Sequence, residues 1–201
     1  MTLSKINRIF AVFGIIGFFF IISSFIGAVS KGDNPVTFIS FISILAWVFL
    51  MFGVLAVYLS QMENMRVLGF ISTIIFIFAM TWTIGSIAVH EFAFPFIYDI
   101  DPSMDLSKVT ESELPSPIWE AEVTSSILFI AGSGLYGLTI MLFSKTARWP
   151  GVLLLIVSAA SILKYVSEEL ALISYLGYPI AVSWMCVKLL KTGTPKQTNV
   201  T

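Results

Sequence analysis

Charge is what this sequence has least of. Only 11% of its 201 residues are Asp, Glu, Lys or Arg, against about 25% in an ordinary soluble domain. A fold this poor in charge cannot solvate its surface in water, and a mean hydropathy of +0.94 points the same way. There is one cysteine, Cys186, so an internal disulfide and a thiolate metal cluster are excluded. There is one histidine, His90, which argues against a His-rich metallohydrolase or a haem protein. The net charge is −1 and no run of Lys and Arg forms a phosphate-binding stripe, so nothing points to a nucleic-acid partner.

What is there is apolar sequence in long runs, 57% of the chain. A helix of about 20 residues at 1.5 Å rise crosses a hydrocarbon core of roughly 30 Å. Six runs meet or approach that length: 9–29, 36–60, 67–89, 123–143, 149–166 and 170–190. The expected fold is therefore all-α, an integral membrane bundle of six transmembrane helices forming one domain. The first run has a competing reading. Lys5 and Arg8 fit the n-region of a signal peptide, with Ala28-Val29-Ser30 as a small-x-small cleavage site. The run exceeds the usual h-region of about 7–15 residues, which favours a span.

The connectors are short and polar: Lys31 to Pro35, Gln61 to Arg66, Ser144 to Arg148, and Ser167-Glu168-Glu169. Between the third and fourth runs lies a longer segment, 90–122. It holds eight of the twelve acidic residues: Glu91, Asp99, Asp101, Asp105, Glu111, Glu113, Glu120 and Glu122. Its opening, Phe92 to Tyr98, is aromatic and interrupted by Pro95, which suits an interfacial or partly re-entrant piece. Asp101-Pro102 and Ser116-Pro117 each read as N-cap and first helical residue. Glu120 and Glu122 then fall where a helix dipole favours carboxylates. A segment of about thirty residues is long for a connection. It reads as a solvated cover over helix ends or as a docking surface. The tail, 191–201, is polar.

Six spans put both termini on one side. Lys5, Arg8, Arg66, Lys145, Arg148, Lys188, Lys191 and Lys196 share that side, against Lys31, Lys108 and Lys164 opposite. The positive-inside rule then makes the amino and carboxyl ends cytoplasmic and the acidic segment external, in a cell membrane.

Few residues carry chemistry. His90 and Glu91 end the third span, Lys164 ends the fifth, and Glu168 and Glu169 precede the sixth. These ionisable groups lie at one expected level and are the candidate lining of an outward-facing polar vestibule. Against that, helix ends at interfaces are ordinarily polar, and adjacent helical residues point about 100° apart. Lys164 reads as a snorkelling side chain rather than an intramembrane cation. Gly132 to Gly137 matches G-x-G-x-x-G, but no strand precedes it, so a dinucleotide site fails. Ser133, Gly134 and Gly137 read instead as a helix-packing face. An EF-hand loop from Asp99 would want Gly at Met104 and Glu at Thr110, and has neither. Thr81, Thr83, Ser86, Ser158 and Ser161 fit back-bonding to their own helices or contacts between helices. Pro179 interrupts the sixth span, where a kink is expected. No catalytic constellation, metal set or cofactor motif is present.

Gly134 to Gly151, ending in Arg148-Trp149-Pro150-Gly151, resembles small uncharacterised six-helix membrane proteins of bacteria, of the domain-of-unknown-function type. In that group the turn usually reads Pro-Arg-Trp-x-Gly, so the order here differs. The resemblance implies a six-helix bundle in a prokaryotic membrane and no activity. The reading is a non-enzymatic, multi-pass membrane protein with a binding or assembly role. It would serve as a subunit of a membrane complex, with a partner membrane protein or a second copy, or as a binder of membrane lipids or a small molecule. The alternative is a small transporter or channel using the vestibule, and behind it an intramembrane enzyme.

Overall fold

The computed structural model describes residues 3–31, 38–100, 116–162 and 168–192, and these are helical except for the turns at 116–117 and 144–147. The helices are α1 (Leu3–Lys31), α2 (Phe38–Ala88), α3 (Phe94–Ile100), α4 (Ile118–Phe143), α5 (Arg148–Ile162) and α6 (Glu168–Thr192), with a π-helical turn, Val89–Ala93, joining α2 to α3. Three of them are long and apolar enough to cross a membrane: Leu3–Gly27, the continuous stretch Phe38–Ile97 and Ile118–Phe143.

Residues 61–65 were expected to be a connector but remain helical, because Gln61 to Met65 contain neither Gly nor Pro. The break comes at Arg66 alone, with φ 48° and ψ −145°. There α2 folds back on itself. Tyr58 meets Phe70, Phe41 meets Phe92, and Thr81 reaches Met51, so residue pairs summing to about 130 face each other along an antiparallel hairpin. The second difference lies at Pro95. The chain does not leave its helix there. Proline has no N–H to give the carbonyl of Glu91 and would collide with it. The preceding turn widens to π geometry instead, with the Phe94 N–H bonded to the Val89 carbonyl, and α3 carries on to Ile100. Residues 101–115, with their expected short helix, lie outside the described chain. Ser116-Pro117 begins α4 one residue later than expected. Pro117 itself is the cap residue, with φ −94° and ψ 12°, and the Ala121 N–H makes the first bond to its carbonyl. Glu168 and Glu169 belong to α6 rather than to a turn, and α6 continues through Pro179.

The first arm of α2 (38–65) is the hub. Against it α1 lies so close that a Cβ on Gly14 would sit 2.7 Å from the Gly53 Cα and from the Cys186 Sγ of α6. Phe10 and Phe13 of α1 pack on Phe52 and Phe49. From α4, the Tyr136 hydroxyl donates to the Val54 carbonyl at 3.0 Å, and Phe129 meets the Trp47 ring. Around the hub, α4 runs antiparallel to the second α2 arm (67–88), α5 to α4, α6 to α5, and α1 to α6.

Side chains are distributed as a lipid solvent requires. Val67 is 70% exposed and Phe38 79%, whereas Ser72, Ser133 and Thr139 are fully buried. Many large apolar side chains face outward, while others, such as Ile21, Leu50 and Phe76, fill the core. Hydroxyls and small residues face helix contacts, where they satisfy themselves on their own backbone: Thr73 on Gly69, Thr139 on Leu135, Ser158 on Leu154.

Candidate functional site

The wide turn at 89–93 separates two carboxylate environments at the end of the bundle opposite Arg66. Glu91 points to the first arm of α2, where the Ser40 hydroxyl donates to its Oε2 at 2.5 Å. His90 points the other way. Its Nε2 lies 3.3 Å from Glu122 Oε1 of α4, and its ring packs edge-on against Phe94 at 4.6 Å. Glu122 also accepts from the Ser86 hydroxyl. One turn deeper, Thr83 and Ser125 are paired at 3.4 Å. Positions 83, 86 and 90 are spaced by three and four, so they share one helix face, and they meet 125 and 122 on the antiparallel partner.

Beside Glu122 a groove of about 430 Å³ opens between the two helices. Its walls are mainly apolar, from Trp82, Val89, Ile118 and Ala121, and Ser86 and Glu122 give it a polar edge. Gly85 belongs to the same lining. Among the described glycines it is the one whose added Cβ would meet nothing within 4 Å. Gly14, Gly53, Gly132, Gly137 and Gly151 let helices touch. Gly85 leaves space.

Of the expected vestibule residues, the structure therefore sends His90 and Glu91 to different neighbours. Lys164 lies outside the described residues, and Glu168 and Glu169 are described only as the start of the α6 backbone. The sequence reading missed Glu122 as the partner of His90, and Ser40 and Ser86 as donors. The available signal was the spacing 83, 86, 90 before the acidic segment and 122, 125 after it, which an antiparallel pairing of the two helices would have joined.

A second polar element runs inward from Glu91. Ser40, Ser43 and Trp47 share one face of α2. Ser43 is a hydrogen-bond partner of Tyr175, and the Trp47 indole N–H is buried without an acceptor. The packing-face residues meet α5: Ser133 pairs with Ser158 at 2.8 Å, a Cβ on Gly134 would lie 3.6 Å from the Ser158 Cβ, and one on Gly137 would lie 3.0 Å from the Gly151 carbonyl. Ser161 pairs with Tyr178 at 2.7 Å. Pro179 is buried within α6.

Comparison with protein-family models, curated proteins and solved structures finds no match to this chain. The resemblance of the 134–151 stretch therefore rests on the sequence alone.

Proposed function

We propose that this is a six-span protein of the cell membrane, with both termini cytoplasmic, that binds a small amphipathic molecule in the external groove between α2 and α4. The observation that carries the reading is the pairing of an apolar cleft with one carboxylate, Glu122, at its edge. Such a cleft accepts an alkyl chain, and the carboxylate selects a cationic or hydrogen-bond-donating head. The reversal of the chain at Arg66 supports reading the two α2 arms as separate spans. Arg66, Lys145 and Arg148 at one end, with His90, Glu91 and Glu122 at the other, fit the positive-inside orientation.

The test is thermal stabilisation of the purified full-length protein by single-chain amphiphiles of one chain length. An alkylamine should raise the melting temperature, and an alkyl sulfate should not. Glu122→Gln should remove the preference for the amine. Gly85→Leu should abolish stabilisation by either without lowering the unliganded melting temperature, because its Cβ meets nothing within 4 Å and leucine favours a helix over glycine. Equal stabilisation by amine and sulfate would sink the reading. The transport alternative is favoured by the hydroxyl row from Glu91 to Trp47. It makes Glu91→Gln, rather than Glu122→Gln, the variant that loses function at normal expression.

A further inference from the structure

The end of the bundle marked by Arg66 carries a second cavity, about 490 Å³, where the α2 reversal meets the turn between α4 and α5. Its polar rim is Asn64, Ser144, Lys145 and Arg148, and its floor is Met141, Leu142 and Phe143. Two cations line it and no carboxylate does. Glu63 is the neighbouring residue on α2 but does not belong to the lining. Among the described residues neither Lys145 nor Arg148 is paired with an acidic group; the contact between a basic and an acidic side chain found among them, His90 with Glu122, lies at the other end of the bundle.

The backbone beneath these cations is fixed. The Ser144 N–H bonds the Ile140 carbonyl at 2.9 Å, the Ala147 N–H donates to Ser144 Oγ at 2.8 Å, and the Gly151 N–H bonds the Ala147 carbonyl at 3.0 Å. The cost of ordering this turn is thus met within the fold, before any ligand arrives. Trp149, 71% exposed, stands next to Arg148 at the level where indoles favour headgroups. Leu142, 59% exposed, continues the floor outward onto the apolar surface. The cavity therefore joins a headgroup-level rim of cations to a strip of hydrocarbon-facing surface.

We propose that this cavity binds the phosphate of an anionic phospholipid. Arg148 presents a planar fork of donors and Lys145 a point charge, the pairing suited to phosphate oxygens. Asn64 and Ser144 supply further hydrogen bonds, and the acyl chain follows Leu142 and Phe143. A free phosphate ion would use the rim but gain nothing from the floor, which is why a lipid is the occupant. The site rests on the membrane placement of the bundle and is independent of the groove beside Glu122. Fractionation of the protein with carbonate-washed membranes checks that placement separately.

The experiment is native mass spectrometry of the full-length protein in detergent, incubated with equal amounts of phosphatidylglycerol and phosphatidylcholine. The wild type should retain phosphatidylglycerol at least about tenfold more than phosphatidylcholine, as two basic side chains near a membrane surface allow. The double variant K145Q/R148Q should lose that preference, and K145R/R148K should keep it. Equal retention of the two lipids by the wild type overturns the proposal and needs no variant to read. An unchanged preference in K145Q/R148Q overturns it as well. So does displacement of phosphatidylglycerol by millimolar inorganic phosphate that is itself retained, which would make the site one for a free anion.

Discussion

Gly14 and Gly134 both lie inside apolar helices, and they differ in how closely another helix approaches them. A Cβ on Gly14 would lie 2.7 Å from two atoms, one of them the backbone Cα of Gly53, which cannot swing aside. A Cβ on Gly134 would lie 3.6 Å from its nearest neighbour, an ordinary contact. Gly14→Val should therefore destabilise the bundle by about 1–3 kcal/mol, the usual cost of overpacking. Gly134→Ala should be neutral, or stabilising by up to about 1 kcal/mol through helix propensity. Melting temperatures of the two variants in one detergent decide this, and an equal loss would mean the α1–α2 contact is looser than described. The sequence showed that these residues are small. It did not show which of them touches, because that depends on the pairing of helices far apart in the chain.

At the scale of elements, the reversal of α2 turns on one residue. Arg66 holds φ 48° and ψ −145°, a region that costs a side-chain-bearing residue about 1–3 kcal/mol. Arg66→Gly should raise stability by about 1 kcal/mol, since glycine accepts this backbone at the smaller cost of its own entropy. Arg66→Ala removes the same charge without the same freedom and should show no gain. If Ala and Gly behave alike in thermal melts, backbone strain is not what Arg66 bears. Composition and run length made the helices legible, because apolar stretches free of charge allow no other backbone in lipid. Their ends were less legible. Gln61 to Met65 are polar yet helix-forming, so polarity alone marked a loop where the helix continues. Pro95 was visible as a disturbance, but a π turn that absorbs it cannot be told from a break until the following residues are placed. The partner of His90 was hidden for another reason: Glu122 lies 32 residues away across a segment with no periodic pattern.

For the whole molecule, orientation is the property that governs the rest. Cys186 is buried, so the native chain should not react with a membrane-impermeant maleimide added to intact cells. In a Cys186→Ala background, Glu120→Cys should be labelled from outside and Lys145→Cys only after the membrane is opened. Both positions are exposed on the folded chain, so silence at either is a statement about sidedness rather than burial. The reverse pattern would invert the bundle and place the Glu122 groove inside the cell.

The contact between α1 and α6 joins the beginning of this chain to its end. Gly14 waits for Cys186, which the ribosome adds 172 residues later. On the other side of that contact Gly53 of α2 is as tightly held, since a Cβ there would lie 2.9 Å from the Gly14 Cα and 3.0 Å from the Cys186 Sγ. The seam is therefore a three-way joint, in which Gly14, Gly53 and Cys186 meet at one point, and a bulkier side chain at any of the three would push on the other two.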